Sequence, residues 1–165
     1  FGNLPYNIST QILLKLIKIS VWPPEYFKLI LMFQKEVAER ILAKYNTANY
    51  GRLSIVSNWR LKIIDHFDVS KNCFHPKPKV NSSVVIFEPK VNNSYIIKDI
   101  INLEKVTQIF FSNRRKMINK SFKKLFGDNQ NINKIIKVDL TNRPSNLKPE
   151  DFYRMTEYYE SGLNT

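Results

Sequence analysis

Apolar and polar residues change their rhythm along this chain, and the changes mark its elements. Residues 1–4 read as the end of a strand. Ser9 and Thr10, both good helix N-caps, precede an apolar-periodic run that predicts a helix over 9–19. After Trp22-Pro23-Pro24, the stretch Tyr26 to Phe33 is almost wholly apolar and predicts a buried strand. From Lys35 to Lys44 the residues Val37, Ala38, Ile41 and Leu42 fall on one helical face. Tyr50 to Trp59 predicts another helix, Leu61 to Phe67 a strand, and Val80 to Phe87 a further strand that Pro89 ends. This alternation of strand and helix predicts an open α/β sheet with helices on its faces, read as half of a parallel sheet.

Beyond Pro89 the strand rhythm stops. Val91-Asn92-Asn93-Ser94 is a polar linker, and helices are predicted over Asn102–Ser112, Arg115–Phe126, 131–137 and Pro149–Glu160. Gly127 stands where a helix C-cap is expected, and 141–146 reads as a loop. The expected division is a first domain over 1–90 and an all-helical one over 98–165, with the boundary near 90–97.

Charge sharpens the picture. The 165 residues carry 26 Lys and Arg against 14 Asp and Glu, a net charge of +12. The excess is shared: twelve basic against six acidic residues before Lys90, fourteen against eight from there on. An anionic partner is expected, nucleic acid being the ordinary one. The single cysteine, Cys73, excludes an internal disulfide framework, and it is expected to be buried or half-buried. A reducing, cytoplasmic setting follows as the default. No metal site is expected, and no apolar run is long enough to predict a membrane span. Trp22, Trp59 and His66 read as packing residues, and Glu36 and Glu39 as surface charges of a helix.

Two segments carry candidate chemistry. In Asn3-Leu4-Pro5-Tyr6, Leu4 is pushed toward an extended conformation by the proline that follows, and Pro5 has no N–H to continue a sheet. The carbonyls around Leu4 and Pro5, with the Asn3 side-chain carbonyl, are then acceptors free for another partner. Tyr6 offers a ring on which a base stacks, typically contributing about 1–3 kcal/mol. Convergent acceptors beside a flat ring suit the exocyclic amine of adenine, and holding its nitrogen toward an electrophile is catalysis by positioning. The same four residues also fit a plain strand-to-helix turn. The second segment, Phe74-His75-Pro76-Lys77-Pro78-Lys79, is a proline-stiffened loop before a strand. It could hold Phe74 against the other face of a base, with Lys77 and Lys79 at phosphates. Between Asn113 and Phe126, Arg114, Arg115, Lys116, Lys120, Lys123 and Lys124 stand with no acidic residue. On one helix Lys116, Lys120, Lys123 and Lys124 share a face, a repulsion that an anion relieves, while Met117, Ile118, Phe122, Leu125 and Phe126 pack inward. A solvated face is the other reading. Arg52, at a helix start after Gly51, meets a phosphate or caps local carbonyls.

These segments, together with Phe33-Gln34-Lys35-Glu36-Val37-Ala38-Glu39-Arg40, Tyr50-Gly51-Arg52-Leu53-Ser54, Asn113-Arg114-Arg115-Lys116, Arg143-Pro144 and Pro149-Glu150-Asp151-Phe152, resemble the KsgA/Erm family of ribosomal RNA adenine N6-dimethyltransferases over nearly the whole chain. Asn81 is a departure, since many KsgA sequences have Asp there. The resemblance implies the C-terminal half of a Rossmann-like class I methyltransferase sheet followed by a small helical domain. It implies S-adenosyl-L-methionine as cofactor, with Asn3 beside the methyl donor. Asn3, Leu4, Pro5 and Tyr6 would hold the target adenine and Phe74 would close over it. Arg52, Lys77, Lys79, Arg114, Arg115, Lys116, Lys120 and Lys123 would meet RNA. The implied reaction is N6,N6-dimethylation of two adjacent adenines in the 3′-terminal hairpin of 16S rRNA. The partner is the small-subunit rRNA of an immature 30S subunit, and the enzyme a monomer in the cytoplasm. Two alternatives are an Erm-type enzyme acting on 23S rRNA and a non-catalytic RNA-binding assembly factor. The family's glycine-rich cofactor turn has no counterpart among Gly2, Gly51, Gly127 and Gly162, no two of which are close in sequence. The chain is therefore expected to be a piece of a longer methyltransferase, inactive alone.

Overall fold

The computed structural model describes residues 1–128 and 131–162. Four strands, β1 (Gly2–Asn3), β2 (Leu29–Gln34), β3 (Leu61–Val69) and β4 (Ser82–Pro89), form one sheet in the order β1-β2-β4-β3. Three helices precede β3: α1 (Ser9–Ile17), α2 (Lys35–Leu42) and α3 (Arg52–Arg60). Four follow β4: α4 (Ile100–Phe111), α5 (Asn119–Phe126), α6 (Ile132–Ile136) and α7 (Pro149–Gly162). Packing divides the chain into two units. One comprises Phe1–Leu42 with Arg60–Asn93, the other Ala43–Trp59 with the chain from Ser94 on. The segment carrying most of α3, which the alternation of elements placed with the sheet, thus packs with the later helices.

In the first unit β2 alternates buried and half-buried residues, with Leu29, Leu31 and Phe33 on the buried face. Phe33 meets Phe87 of β4 edge to face at 6.4 Å. Leu13 and Ile17 of α1, and Ala38 and Ile41 of α2, are fully buried, as the helical spacing predicts. The strand begins three residues later than the apolar run suggests, and Phe27 is 85% exposed. Arg60 closes the C-terminal end of α1 by donating to the carbonyls of Ile17 (2.7 Å) and Ile19 (2.9 Å). Its guanidinium also lies 4.7 Å from the centre of the Trp22 ring, whose Nε1–H donates to the Lys90 carbonyl. The sheet is not half of a parallel one: β1 and β2 are parallel, but β4 runs antiparallel to both β2 and β3. The antiparallel pairs arise because β3 returns directly into β4 through the loop at 70–81 instead of through a crossover helix.

In the second unit α4 packs on α7. Phe152 takes Phe110 edge to face at 5.9 Å and Phe111 stacked at 5.7 Å. Gly127 ends α5 at φ +75°, a conformation that favours glycine, and its N–H donates to the Lys123 carbonyl. Tyr153 donates through its hydroxyl to the Ile55 carbonyl at 2.9 Å. Tyr50 is fully buried against Phe111, and its Oη has no hydrogen-bond partner among the described residues. Burial pushes its phenol well above the usual tyrosine range. An unmatched buried hydroxyl opposes folding, so Tyr50→Phe is expected to be neutral or to stabilise by about 1 kcal/mol. Urea denaturation of the two proteins side by side checks this; a clear loss of stability in the variant would show that the hydroxyl has a partner after all.

Candidate active site

Chain direction brings the two candidate segments to one end of the sheet. β1 and β2 run parallel, with Gly2 opposite Leu31 and Asn3 opposite Met32. β4 starts where β2 ends, Ser82 facing Gln34, and β3 ends there too, Val69 facing Ser82. Asn3 to Tyr6 leave β1 at this edge, and the 70–81 loop carrying Phe74 spans it. The carboxyl edge of strands is where open α/β sheets generally bind ligands.

The first segment is held tightly at its flanks. A Cβ on Gly2 would sit 3.0 Å from both the Leu31 and Leu4 side chains, so glycine lets Leu4 seat against β2. The Pro5 carbonyl accepts from Ile8 N–H at 3.1 Å, closing a turn into α1. That corrects the expectation for Pro5: of the two carbonyls, only that of Leu4 is left outside the turn. Ser9 does not cap α1 either; Ile8 holds the cap position, and the Ser9 hydroxyl donates to the Tyr6 carbonyl at 3.2 Å. Asn3 is exposed, and its side chain makes no hydrogen bond to a described residue. Tyr6 is half-buried, and its Oη lies 2.5 Å from Ser82 Oγ, the first residue of β4. This bond joins the first segment to the base of the second, and sequence reasoning did not single out Ser82.

The second segment is braced from within. Ser70 Oγ accepts from Asn72 N–H at 3.2 Å, starting a 3-10 turn over Lys71–Cys73 that ends at Phe74. Asn81 Oδ1 accepts from Lys71 N–H at 3.1 Å, and the Asn81 carbonyl accepts from Lys35 N–H at 3.0 Å, so one asparagine ties the loop's two ends to the start of α2. An aspartate at position 81 offers the same acceptor. Asp68 accepts from the Lys35 ammonium and from Ser83 Oγ at 2.6 Å. Those two bonds, Lys35 first, hold the Asp68 carboxyl below the usual carboxylate range, and the Lys35 ammonium rises in turn. Phe74 is half-buried on this loop, while His75, Lys77 and Lys79 are exposed. Cys73, expected to be buried or half-buried, is exposed at the end of this short turn, none of whose residues is buried. His66 is exposed on β3 rather than a packing residue.

The basic run divides differently from its expected form. α4 continues to Phe111, tight turns follow, and α5 begins only at Asn119. Arg114, Arg115 and Lys116 therefore lie before the helix, and Lys116 does not share a face with Lys120, Lys123 and Lys124. Met117 is 51% exposed instead of packed inward, and Leu125 and Phe126 are only half-buried; Ile118 and Phe122 are buried as expected. Arg114 donates to the carbonyls of Thr47 and Ala48 and rests beside Phe111, so its guanidinium braces the loop before α3. Lys123 pairs with Asp128 at 2.6 Å, both side chains well exposed. Lys120, Arg115 and Lys116 are exposed, as is Arg52 at the first position of α3. No group of His, Cys, Asp or Glu among the described residues is placed to hold a metal, and no helix among them is long and apolar enough to cross a membrane.

Comparison with known proteins gives a consistent picture. The model of a family described as ribosomal RNA adenine dimethylase matches residues 1–161. Ribosomal RNA small subunit methyltransferase A of Pelagibacter ubique is 47% identical over 161 residues, which are 97% of this chain and 61% of that protein. The protein of the same name from Mesorhizobium japonicum is 42% identical over 155 residues, 94% of this chain and 54% of its own length. A crystal structure of a dimethyladenosine transferase from Plasmodium falciparum superposes with a TM-score of 0.75 at 29% identity, over 97% of this chain and 66% of that one. The 23S rRNA methyltransferase ErmE, at 19% identity and a TM-score of 0.61, shares the fold. The chain thus spans between about half and two thirds of the length of these relatives.

Proposed function

The chain belongs to the ribosomal RNA adenine dimethylase family, and from that premise we propose that the protein it represents transfers methyl groups to the N6 amines of two adjacent adenines in the 3′-terminal hairpin of small-subunit rRNA, during assembly of the 30S subunit. The observation that carries this reading is the placement of Asn3, Leu4 and Tyr6 at the carboxyl edge of the sheet, joined by the Tyr6–Ser82 bond to the loop that bears Phe74. The small-subunit names of the relatives favour this target over 23S rRNA.

Asn3 Oδ1 and the Leu4 carbonyl accept from the two N–H groups of the adenine amine and aim its lone pair. Tyr6 and Phe74 hold the ring from its two faces. No strong base is required, because the amine proton becomes acidic only as the nitrogen is alkylated. S-adenosyl-L-methionine supplies the electrophilic methyl group. Of the residues in this chain, Asn3 fits beside that donor, since its carboxamide is exposed and makes no hydrogen bond to a described residue.

Exposed cations extend the grip on RNA: Lys77 and Lys79 beside Phe74, and Arg52, Arg115, Lys116, Lys120 and Lys123 in the helical unit. Arg114 acts through the loop it braces. Lys120→Ala should therefore lower the slope of log affinity against log salt by about one. Arg114→Ala should leave the slope near its starting value while lowering the melting temperature, because it frees the carbonyls of Thr47 and Ala48. Titrating a short rRNA hairpin at several salt concentrations separates the two.

The reading as a whole is tested by methyl transfer from labelled donor to isolated small and large subunits, with the full-length protein. Label in the small-subunit adenines is expected. Label in large-subunit RNA alone would favour the 23S alternative, and tight RNA binding without transfer would favour an assembly factor.

A further inference from the structure

Ser82 and Ser83 are adjacent at the start of β4 and almost fully buried. Successive strand residues point to opposite faces. Ser82 Oγ reaches the Tyr6 hydroxyl at 2.5 Å. Ser83 Oγ donates to Asp68, the penultimate residue of β3, which also holds the Lys35 ammonium at the start of α2. The pair therefore fastens the loop after β1 and the ends of β3 and β2 to one point of one strand. The 70–81 loop grows from that point, between Val69 and Ser82, which face each other.

We propose that Ser82 is a positioning residue: its hydroxyl holds the Tyr6 ring at a fixed height and tilt over the sheet edge, so that Tyr6 and Phe74 stand the right distance apart to admit one base. The proposal rests on the methyl-transfer reading above. The Tyr6 hydroxyl matters because it is the anchor of a ring whose face does the binding. A tyrosine in a stacking role needs no hydroxyl, and phenylalanine would stack as well. Here the hydroxyl is taken up by a serine 76 residues away, which sets where the ring can go. The residue's own backbone is held less closely: among the described residues the Tyr6 carbonyl accepts from the Ser9 hydroxyl, at 3.2 Å. Ser83, bonded to Asp68, keeps the strand end itself from shifting.

The proposal makes Ser82 and Tyr6 Oη one unit. In the full-length protein, Ser82→Ala and Tyr6→Phe are each expected to lower kcat about tenfold, since small displacements at a reacting centre are costly. The KM for small-subunit rRNA should stay within about twofold, because phosphate contacts elsewhere supply most of the affinity. The double variant should be no slower than either single one. Tyr6→Phe keeps the ring and removes a part-buried oxygen, so it tests the bond without emptying the core. Both variants matching the unmutated rate would overturn the proposal, and so would multiplied effects in the double variant, which would mean that Ser82 acts by another route. An unmutated full-length protein that binds rRNA but transfers no methyl group would instead overturn the functional reading and this inference with it.

Discussion

Glu160→Gln is expected to destabilise the helical unit by about 3 kcal/mol, the sum of charge-assisted bonds lost at a buried site. Glu160 is 3% exposed near the end of α7. Its Oε2 accepts from Lys98 N–H at 2.7 Å, and its Oε1 accepts from Asp99 N–H at 3.0 Å and from Asn102 Nδ2 at 2.9 Å. The first N–H groups of a helix have no partner within it. α4 solves this twice, with Asp99 Oδ1 accepting from Ile101 N–H at 2.9 Å and with a carboxylate sent across from α7. One turn back, Glu157 Oε1 accepts from Ile96 N–H at 2.6 Å. The negative charge also faces the positive end of the α4 dipole. Glutamine keeps the shape but turns an NH2 toward at least one of these donors, which a carboxylate never does. Chemical denaturation gives the stability, and amide exchange at Lys98, Asp99 and Ile101 locates the change. An unshifted midpoint with unchanged exchange at those amides would remove this account of the α4–α7 joint.

Nothing in the sequence announces that joint, and the reason is general. Periodicity reads what a residue does within a few turns of chain, so α1, α2 and α7 were legible from their apolar faces. Nothing local marks Glu160, because its partners stand about sixty positions away. The basic run failed for the opposite reason. The cations from Lys116 on were placed on a helix expected over Arg115–Phe126, but the backbone turns at 112–116, where Lys116 N–H closes on the Asn113 carbonyl, before α5 starts. A count of charges does not see a turn. Asn3, Leu4, Tyr6 and Phe74 could be named as candidates because proline dictates local geometry beside them, and the strand register sets both segments at one edge of the sheet. The serine that ties Tyr6 to the second segment could not be named, since a hydroxyl on a strand acquires meaning only once its partner is placed.

Asn3→Ala in the full-length protein is expected to lower kcat for adenine methylation by at least about a hundredfold, the usual scale for removing one polar group aimed at a reacting centre. Structure and stability should scarcely change. Asn3 ends a two-residue strand, it is exposed, and its side chain makes no hydrogen bond to a described residue, so alanine removes nothing that the fold uses. Its carboxamide has no hydrogen bond to a described residue to give up, and the proposed function uses it as an acceptor for the substrate amine. The Leu4 carbonyl would remain in the variant, but one acceptor leaves the amine free to rotate about that bond, and the nitrogen lone pair loses its aim. RNA affinity should stay within a few-fold, because cations distant from Asn3 in the sequence carry it. Single-turnover methylation, a melting curve and a salt-matched binding titration on the same variant test the three parts together. A variant as fast as the parent would exclude Asn3 from the chemistry and leave the Asn3–Tyr6 segment as the strand-to-helix turn that it also resembles. A slow variant with weakened RNA binding would assign Asn3 to recognition of the substrate, and a slow variant with normal binding and melting assigns it to orienting the amine.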